Sequence, residues 1–168
     1  MGTVRSLYLL RHAKSSWDDR GLDDHARPLS PRGEAAARDI SAYLRGEAVE
    51  PALVLCSTAV RARQTLAALH LDGEVSYEDA LYGAGATDLL ARLHGVPDHV
   101  GPVMVVGHNP GLHELAVSCS GKGDPHILAR LREKLPTGAL VTLSFTGPWA
   151  SLAPGGATLE GLVVPGDL

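Results

Sequence analysis

The sequence predicts an α/β fold: helices layered on both faces of a mainly parallel sheet, a three-layer sandwich. Three observations lead there. Short apolar runs alternate with amphipathic stretches along the chain, the pattern of repeated strand–helix–strand units. Two of those runs, Leu7-Tyr8-Leu9-Leu10 and Val103-Met104-Val105-Val106, are followed at once by Arg11-His12 and Gly107-His108. The chain has 168 residues, 45% of them hydrophobic, which suits a single domain over 1–168 with one sizeable core. If both runs are parallel strands, both histidines lie at the carboxyl edge of one sheet, where open α/β folds place their ligands.

The first strand is expected at about Val4 to Leu10. Residues Asp18 to Pro28 are charged and marked by Gly and Pro, so they read as a long loop. Ser30-Pro31 then opens a helix, with Ser as N-cap and Pro at the first helical position. Ala36, Ile40, Tyr43 and Leu44 give that helix an apolar face, and Gly46 ends it. Ala52 to Cys56 is a short buried strand, followed by a helix with Ala62, Leu66 and Leu69 on one face. Glu74 to Tyr77 fits a short edge strand. Ala86, Leu89, Leu90 and Leu93 have helical spacing. Val103 to Val106 has the unbroken apolar character of a central strand. Leu112, Leu115, Ala116 and Cys119 make the next helix face; Leu128, Leu131 and Leu135 make another, stopped by Pro136. Leu140 to Phe145 is a strand, and Ala157 to Val164 a weaker final one with no evident place in the sheet.

Charge and composition narrow the function. A formal net charge of −4 argues against a nucleic-acid partner, because such domains are usually basic. No apolar stretch is long enough to span a membrane, no signal-peptide pattern is present, and a membrane partner is not expected. Gly2 matches a loose myristoylation pattern but leads straight into the first strand. Cys56 and Cys119 make neither a disulfide framework nor a zinc cluster and read as reduced, buried thiols of a cytoplasmic protein. Cys56 and Arg61 stand one residue too close for the nucleophile-and-arginine loop of cysteine-dependent phosphatases.

Three segments share one grammar, a strand followed by a polar motif. They are Arg11 to Trp17 (RHAKSSW), Ser57 to Thr65 (STAVRARQT) and Gly107 to Gly111 (GHNPG). In a parallel sheet all three converge on one edge and bring two imidazoles and at least two guanidiniums into one crevice. The planar fork of Arg binds phosphate oxygens bidentately, and helix starts add backbone N–H donors. Phosphoryl transfer needs little beyond an in-line nucleophile and preorganised positive charge. A neutral imidazole is a competent nucleophile near neutral pH when a hydrogen bond to its other nitrogen fixes the tautomer.

Leu10-Arg11-His12-Ala13, the Ser57–Thr65 segment and Val106-Gly107-His108-Asn109 together resemble the three signatures of the histidine phosphatase superfamily, the phosphoglycerate-mutase-like fold. The short length, Arg11 to Trp17 and Arg27 to Gly33 are most similar to the SixA-type phosphohistidine phosphatases, and the resemblance runs from about Val4 to Phe145. It implies that His12 is the nucleophile, that Arg11 and Arg61 clamp the phosphoryl oxygens, and that His108 stabilises charge on the transferring group. Ser15 falls where relatives contact phosphate, and Asp18 where some mutase-like members have Asn. Lys14, evenly divided between pocket rim and surface, and Asn109 complete the substrate-binding candidates. Many superfamily enzymes carry an acidic residue after the third strand as general acid. Ala80 falls near that position, leaving Glu78 and Asp79 as candidate acids. Capping insertions of metabolite-specific relatives are absent, so a shallow, open pocket is expected.

Other polar residues carry simpler readings. Arg63 is a solvated helix residue, and Trp17 a loop anchor rather than a stacking platform. His25, His70, His94, His99 and His126 need no functional role, and His108 with His113 lacks the zinc-helix pattern. Gly83-Ala84-Gly85 and Gly121-Lys122-Gly123 are incomplete nucleotide-binding fingerprints. The expected function is a phosphatase that forms a transient phosphohistidine on His12 and removes phosphoryl groups from protein phosphohistidine, without metal or cofactor. Two alternatives stand beside it: a phosphatase for small phosphomonoesters or nucleotides, and a non-catalytic phospho-recognition module.

Overall fold

In a computed structural model, which describes residues 2–168, the first apolar run forms β1 (Val4–Arg11) at the centre of a seven-stranded sheet. The remaining strands are β2 (Leu53–Ser57), β3 (Glu74–Glu78), β4 (Val103–Gly107), β5 (Ser120–Gly123), β6 (Leu140–Thr146) and β7 (Ala157–Val163). Their order is β3-β2-β4-β1-β6-β7-β5, and among the described residues only β6 runs against the rest. Helices α1 (Pro31–Gly46) and α2 (Val60–Leu69) cover one face. Helices α3 (Ala86–His94), α4 (Gly111–Cys119) and α5 (Pro125–Glu133) cover the other. The expected α/β sandwich with a mainly parallel sheet is what the chain forms.

The two-residue period of β1 explains how it joins both layers. Leu7 and Leu9 enter the larger core with α3, α4 and α5, while Leu10 enters the smaller one with Ile40, Leu44 and Leu66. All five residues of β2 and of β4 are buried, as their unbroken apolar runs require of central parallel strands.

Register fixes the site. Arg11 of β1 is paired with Gly107 of β4, and Cys56 of β2 with Val106 of β4. The chain therefore leaves all three strands at one level, with His12, Ser57 and His108 side by side.

Four details differ from the sequence reading. The segment Gly121-Lys122-Gly123 belongs to β5, which low β propensity conceals. It pairs with β7, and a Cβ on Gly121 would come within 2.0 Å of the Gly155 carbonyl oxygen, so side-chain-free backbone is needed there. The weak final strand lies between β6 and β5. Helix α5 stops at Glu133, and Leu135 is buried beyond its end because the residue before a proline is pushed out of helical geometry. Helix α1 ends at Gly46, but its left-handed turn residue is Ala48 (φ 52°).

Candidate active site

The loop that carries His12 begins where β1 stops pairing. His12 N–H donates to the Gly107 carbonyl at 3.1 Å, and Gly138 N–H donates to the His12 carbonyl at 3.0 Å. Ala13 N–H donates to Thr65 Oγ1 on α2 at 3.0 Å. These bonds turn the chain so that the His12 ring faces the sheet edge, buried.

His12 Nδ1 lies 2.7 Å from the Ala13 carbonyl oxygen. A carbonyl only accepts, so Nδ1 carries the hydrogen and Nε2 keeps its lone pair. Arg61 Nε–H donates to that lone pair at 3.4 Å. Burial lowers the His12 pKa to about 4, assisted by the nearby Arg61, Arg11 and Arg27 charges and opposed by the Ala13 hydrogen bond. The imidazole is thus neutral and oriented near pH 7.

His108 stands beside it, the two ring centroids 5.1 Å apart. Its Nε2 is hydrogen-bonded to Ser57 Oγ at 2.7 Å, which ties the ends of β4 and β2 together. Burial, then the adjacent His12, lowers its pKa to about 3.

A cavity of about 440 Å³ opens over these groups. Arg11, His12, Arg61 and His108 line it, with Lys14, Ser15 and Asn109. Arg11 donates from Nη1 to the Leu135 carbonyl, but its buried Nε has no protein partner. Asn109 donates from Nδ2 to the same carbonyl, and its buried Oδ1 is likewise unpartnered. An unpartnered buried donor costs free energy unless a ligand meets it, and an anion would suit Arg11 Nε. Cations line this cavity and, among the described residues, no carboxylate does, in a chain whose net charge is −4. A second cavity, about 580 Å³, lies at the opposite sheet edge between the carboxyl ends of α1 and α2, remote from these groups.

Three residues proposed from sequence stand elsewhere. Asp18 is exposed on the loop after β1, its backbone N–H donates to Ser16 Oγ, and it does not line the cavity. Glu78 accepts from Arg92 Nε and Nη2, one edge of the guanidinium, at 2.7 and 2.8 Å, and that pairing holds its carboxyl below the usual range. Asp79 accepts from Thr58 Oγ1 at 2.6 Å and does not line the cavity either. Neither candidate acid reaches the histidines. Trp17, expected as a loop anchor rather than a stacking platform, is 70% exposed and lines the cavity, and the Arg27 guanidinium stacks 3.4 Å from its ring centroid. Arg63 is exposed, lying over the Tyr77 ring, as its helix position suggested.

Sequence reasoning missed Arg27, Asp24, Ser57 and Tyr82. Arg27 is buried, lines the cavity and donates to Ser15 Oγ at 2.7 Å. It reaches the site because Ser16 N–H donates to the Pro28 carbonyl and Ser30 N–H to the Lys14 carbonyl, pairing two loop segments far apart in sequence. The one signal for it was an arginine before a proline in a segment already resembling the family. Asp24 forms salt bridges to both Arg27 and Arg61 and accepts from the Tyr82 hydroxyl. Nothing in local sequence joins residues so far apart.

An α/β sheet carrying two neutral imidazoles and three converging guanidiniums at one carboxyl edge defines a phosphoryl-handling domain with a histidine as its nucleophile candidate. Comparison with known proteins gives the family. The model for the histidine phosphatase superfamily (branch 1) matches residues 7–83. The uncharacterized protein Rv1276c of Mycobacterium tuberculosis (strain ATCC 25618 / H37Rv) is 42% identical over 159 residues, covering 93% of this chain and 99% of that one. Among solved structures, a "Putative Phosphohistidine Phosphatase SixA" from Nakamurella multipartitia aligns with TM-score 0.86 at 37% identity, over 97% of each chain. A protein histidine phosphatase SixA solved with tungstate shares the fold, with TM-score 0.77 at 23% identity over 96% of this chain and 98% of that one. The chain belongs to the histidine phosphatase superfamily, whose members are phosphatases that use a histidine nucleophile.

Proposed function

We propose that this chain is a metal-independent phosphatase in which His12 carries a transient phosphoryl group, and that its substrate is phosphohistidine on a protein. The observation that carries the substrate choice is the lining of this cavity: cations, imidazoles, hydroxyls, the Asn109 amide and the Trp17 indole, with no carboxyl group among the described residues. His12 Nε2 attacks phosphorus while the substrate P–N bond breaks and the leaving imidazole departs. Water then attacks the phosphoryl group on His12, breaking the second P–N bond and releasing inorganic phosphate. Arg11, Arg27 and Arg61 balance charge on the equatorial oxygens in both steps. The other ring nitrogen of phosphohistidine can carry a proton near neutral pH, so the ring departs as neutral imidazole and little acid is required. An alkyl ester would release a far more basic alkoxide and would need a placed acid. The pairings of Glu78 with Arg92 and of Asp79 with Thr58 disfavour the small-phosphomonoester reading.

The test is a substrate panel with covalent trapping. Phosphohistidine protein should be turned over well, activated aryl phosphates less well and alkyl phosphates poorly. Labelled substrate, quenched without acid, should leave label on His12, and His12→Ala should fold normally without turnover. Glu78→Gln and Asp79→Asn should barely slow phosphohistidine hydrolysis. Preference for alkyl phosphates, lost selectively in either acid variant, would replace this reading with the small-molecule one. Label on another residue would overturn the mechanism.

A further inference from the structure

The carboxylate of Asp24 meets two of the three cavity arginines, and it does so from outside the cavity lining. Arg61 gives Nη1–H to the Asp24 carbonyl at 2.7 Å and Nη2–H to Asp24 Oδ2 at 3.0 Å. The end-on fork of this guanidinium is therefore committed to Asp24. Its other edge, led by Nε, remains turned to His12 Nε2. Arg27 meets Asp24 Oδ1 through Nε and Nη2, both at 3.1 Å, while its Nη1 goes to Ser15 Oγ. The Tyr82 hydroxyl donates to Asp24 Oδ2. One carboxylate thus bridges two cations that would otherwise repel, and each oxygen holds a different one.

Asp24 is itself fixed. It starts a short 3-10 turn, Asp24–Ala26, whose His25 Nε2 is 2.9 Å from Thr58 Oγ1. Thr58 donates its only hydroxyl hydrogen to Asp79 at 2.6 Å, so it accepts from His25. Tyr82 stands edge-on to both His25 and His108, with centroids 4.9 and 5.4 Å apart. This frame connects the turn to the loops after β2 and β3. The Tyr82 hydrogen bond first, opposed by burial and then reinforced by Arg61 and Arg27, keeps the carboxyl ionised well below the usual carboxylate range.

We infer that Asp24, assisted by Tyr82, is a positioning residue: it grips the outer fork of Arg61 and the adjacent edge of Arg27 so that the inner edge of Arg61 is presented to a phosphoryl group at His12 Nε2. The inference rests on the reading of the cavity as a phosphoryl site. It separates two effects that usually move together. An aspartate behind the arginines opposes anion binding by its charge, yet favours the transition state by fixing donor direction. Misplacement of a catalytic donor by about 1 Å can cost on the order of a hundredfold in rate.

The experiment uses Asp24→Asn and the milder Tyr82→Phe, which removes one hydrogen bond and leaves both ion pairs. Turnover is measured on an aryl phosphate, and inorganic phosphate is the binding probe. Asp24→Asn should lower kcat by roughly tenfold to a hundredfold. Its inhibition constant for inorganic phosphate should stay unchanged or tighten. Tyr82→Phe should show the same split with a smaller fall. Unchanged kcat with tighter phosphate binding would make Asp24 a mere competitor for the clamp and overturn the inference. Parallel loss of kcat and phosphate affinity would make it a structural prop and also overturn it. A readout independent of turnover is the Arg61 Nε–H NMR signal, assigned through its loss in Arg61→Lys. Phosphate should shift it in the parent, and in Asp24→Asn the signal should be lost to solvent exchange. An equally protected, equally shifted signal in the variant would refute the positioning role. A parent protein that binds phosphate in this way but turns over no substrate would sink the phosphatase reading instead.

Discussion

His12 needs its Nε2 lone pair, and two neighbours preserve it: the Ala13 carbonyl takes the hydrogen on Nδ1, and burial among guanidiniums resists a second proton. Its folded pKa of about 4 lies below the ordinary value of 6.5. As pH falls through that ordinary value, imidazoles of the unfolded chain take up protons and the buried one does not. Folding stability is therefore present at neutral pH and declines from about 6.5 toward 4. His108, lowered to about 3, acts in the same direction. The shifts set upper limits of about 3 kcal/mol for His12 and about 5 kcal/mol for His108, and the coupled pair contributes less than their sum. Urea midpoints at pH 7 and pH 5 should show the decline, and His12→Ala should reduce it. By the same reasoning, nitrogen NMR should find His12 neutral, with hydrogen on Nδ1, at pH 5.5; a protonated ring at that pH would contradict it. Arg61→Lys tests the neighbouring charge. Lys cannot hold Asp24 with one fork and face His12 with another edge, so kcat/KM should fall about a hundredfold, equivalent to about 3 kcal/mol. A fall of only a few-fold would show that the fork is dispensable.

The catalytic loop derives its shape from α1. Ser30 Oγ accepts from Gly33 N–H at 3.1 Å, capping the helix, and donates to the Lys14 carbonyl at 3.1 Å. The helix start is thereby seated on the loop that carries His12. Gly33 makes this seating close: a Cβ there would stand 2.0 Å from the Lys14 carbonyl oxygen. Gly33→Ala must push backbone away from backbone, so it should destabilise the fold by at least about 2 kcal/mol. It should also reduce turnover below its melting temperature, because Lys14, Ser15 and the Pro28–Ser30 segment bridged to them shift together. Thermal melts and kcat measured on folded protein check both parts; a stable, fully active variant would mean that the helix and loop are not mechanically joined. Ser30→Ala removes the cap and the loop bond without a clash and should cost about 1 kcal/mol.

The two ends of the molecule differ in what they hold. The carboxyl ends of β1, β2 and β4 carry the imidazoles and arginines. The other end is closed by Trp149, fully buried, packed edge-on to Phe145 and approached by the Arg5 guanidinium. Arg5 in turn donates to the carbonyls of Gly147, Val100 and Asp98, binding β1 to the loops below the sheet. Trp149→Ala should destabilise the protein by about 3–5 kcal/mol. Its kcat, measured well below the lowered melting temperature, should stay near that of the parent. A specific loss of kcat in the folded variant would show coupling between the two ends. Positive charge at the catalytic end comes from side chains, so activity should survive exhaustive chelation; loss on EDTA treatment with recovery on Mg²⁺ or Zn²⁺ would require a metal site.

The layers, the strand-end location of Arg11, His12 and His108, and the helix that carries Arg61 were all legible from the chain's own pattern. Each depends on periodicity or on a motif contiguous with its strand, and burial enforces that pattern locally. Sequence also exposed the weak point, an acid with no clear position. What tertiary structure alone decided is how groups distant in sequence meet. β5 forms only because β7 offers it an edge, and its own residues do not favour a strand. Arg27 reaches the cavity only because its loop pairs with the loop after β1. Glu78 is removed from the chemistry by Arg92, which approaches from another helix. Asp24, Arg61 and Tyr82 come together from three segments, and their geometry depends on hydrogen-bond direction and charge balance across the fold. Periodicity constrains which face a residue occupies, but the partner across the cavity is set by how the layers close.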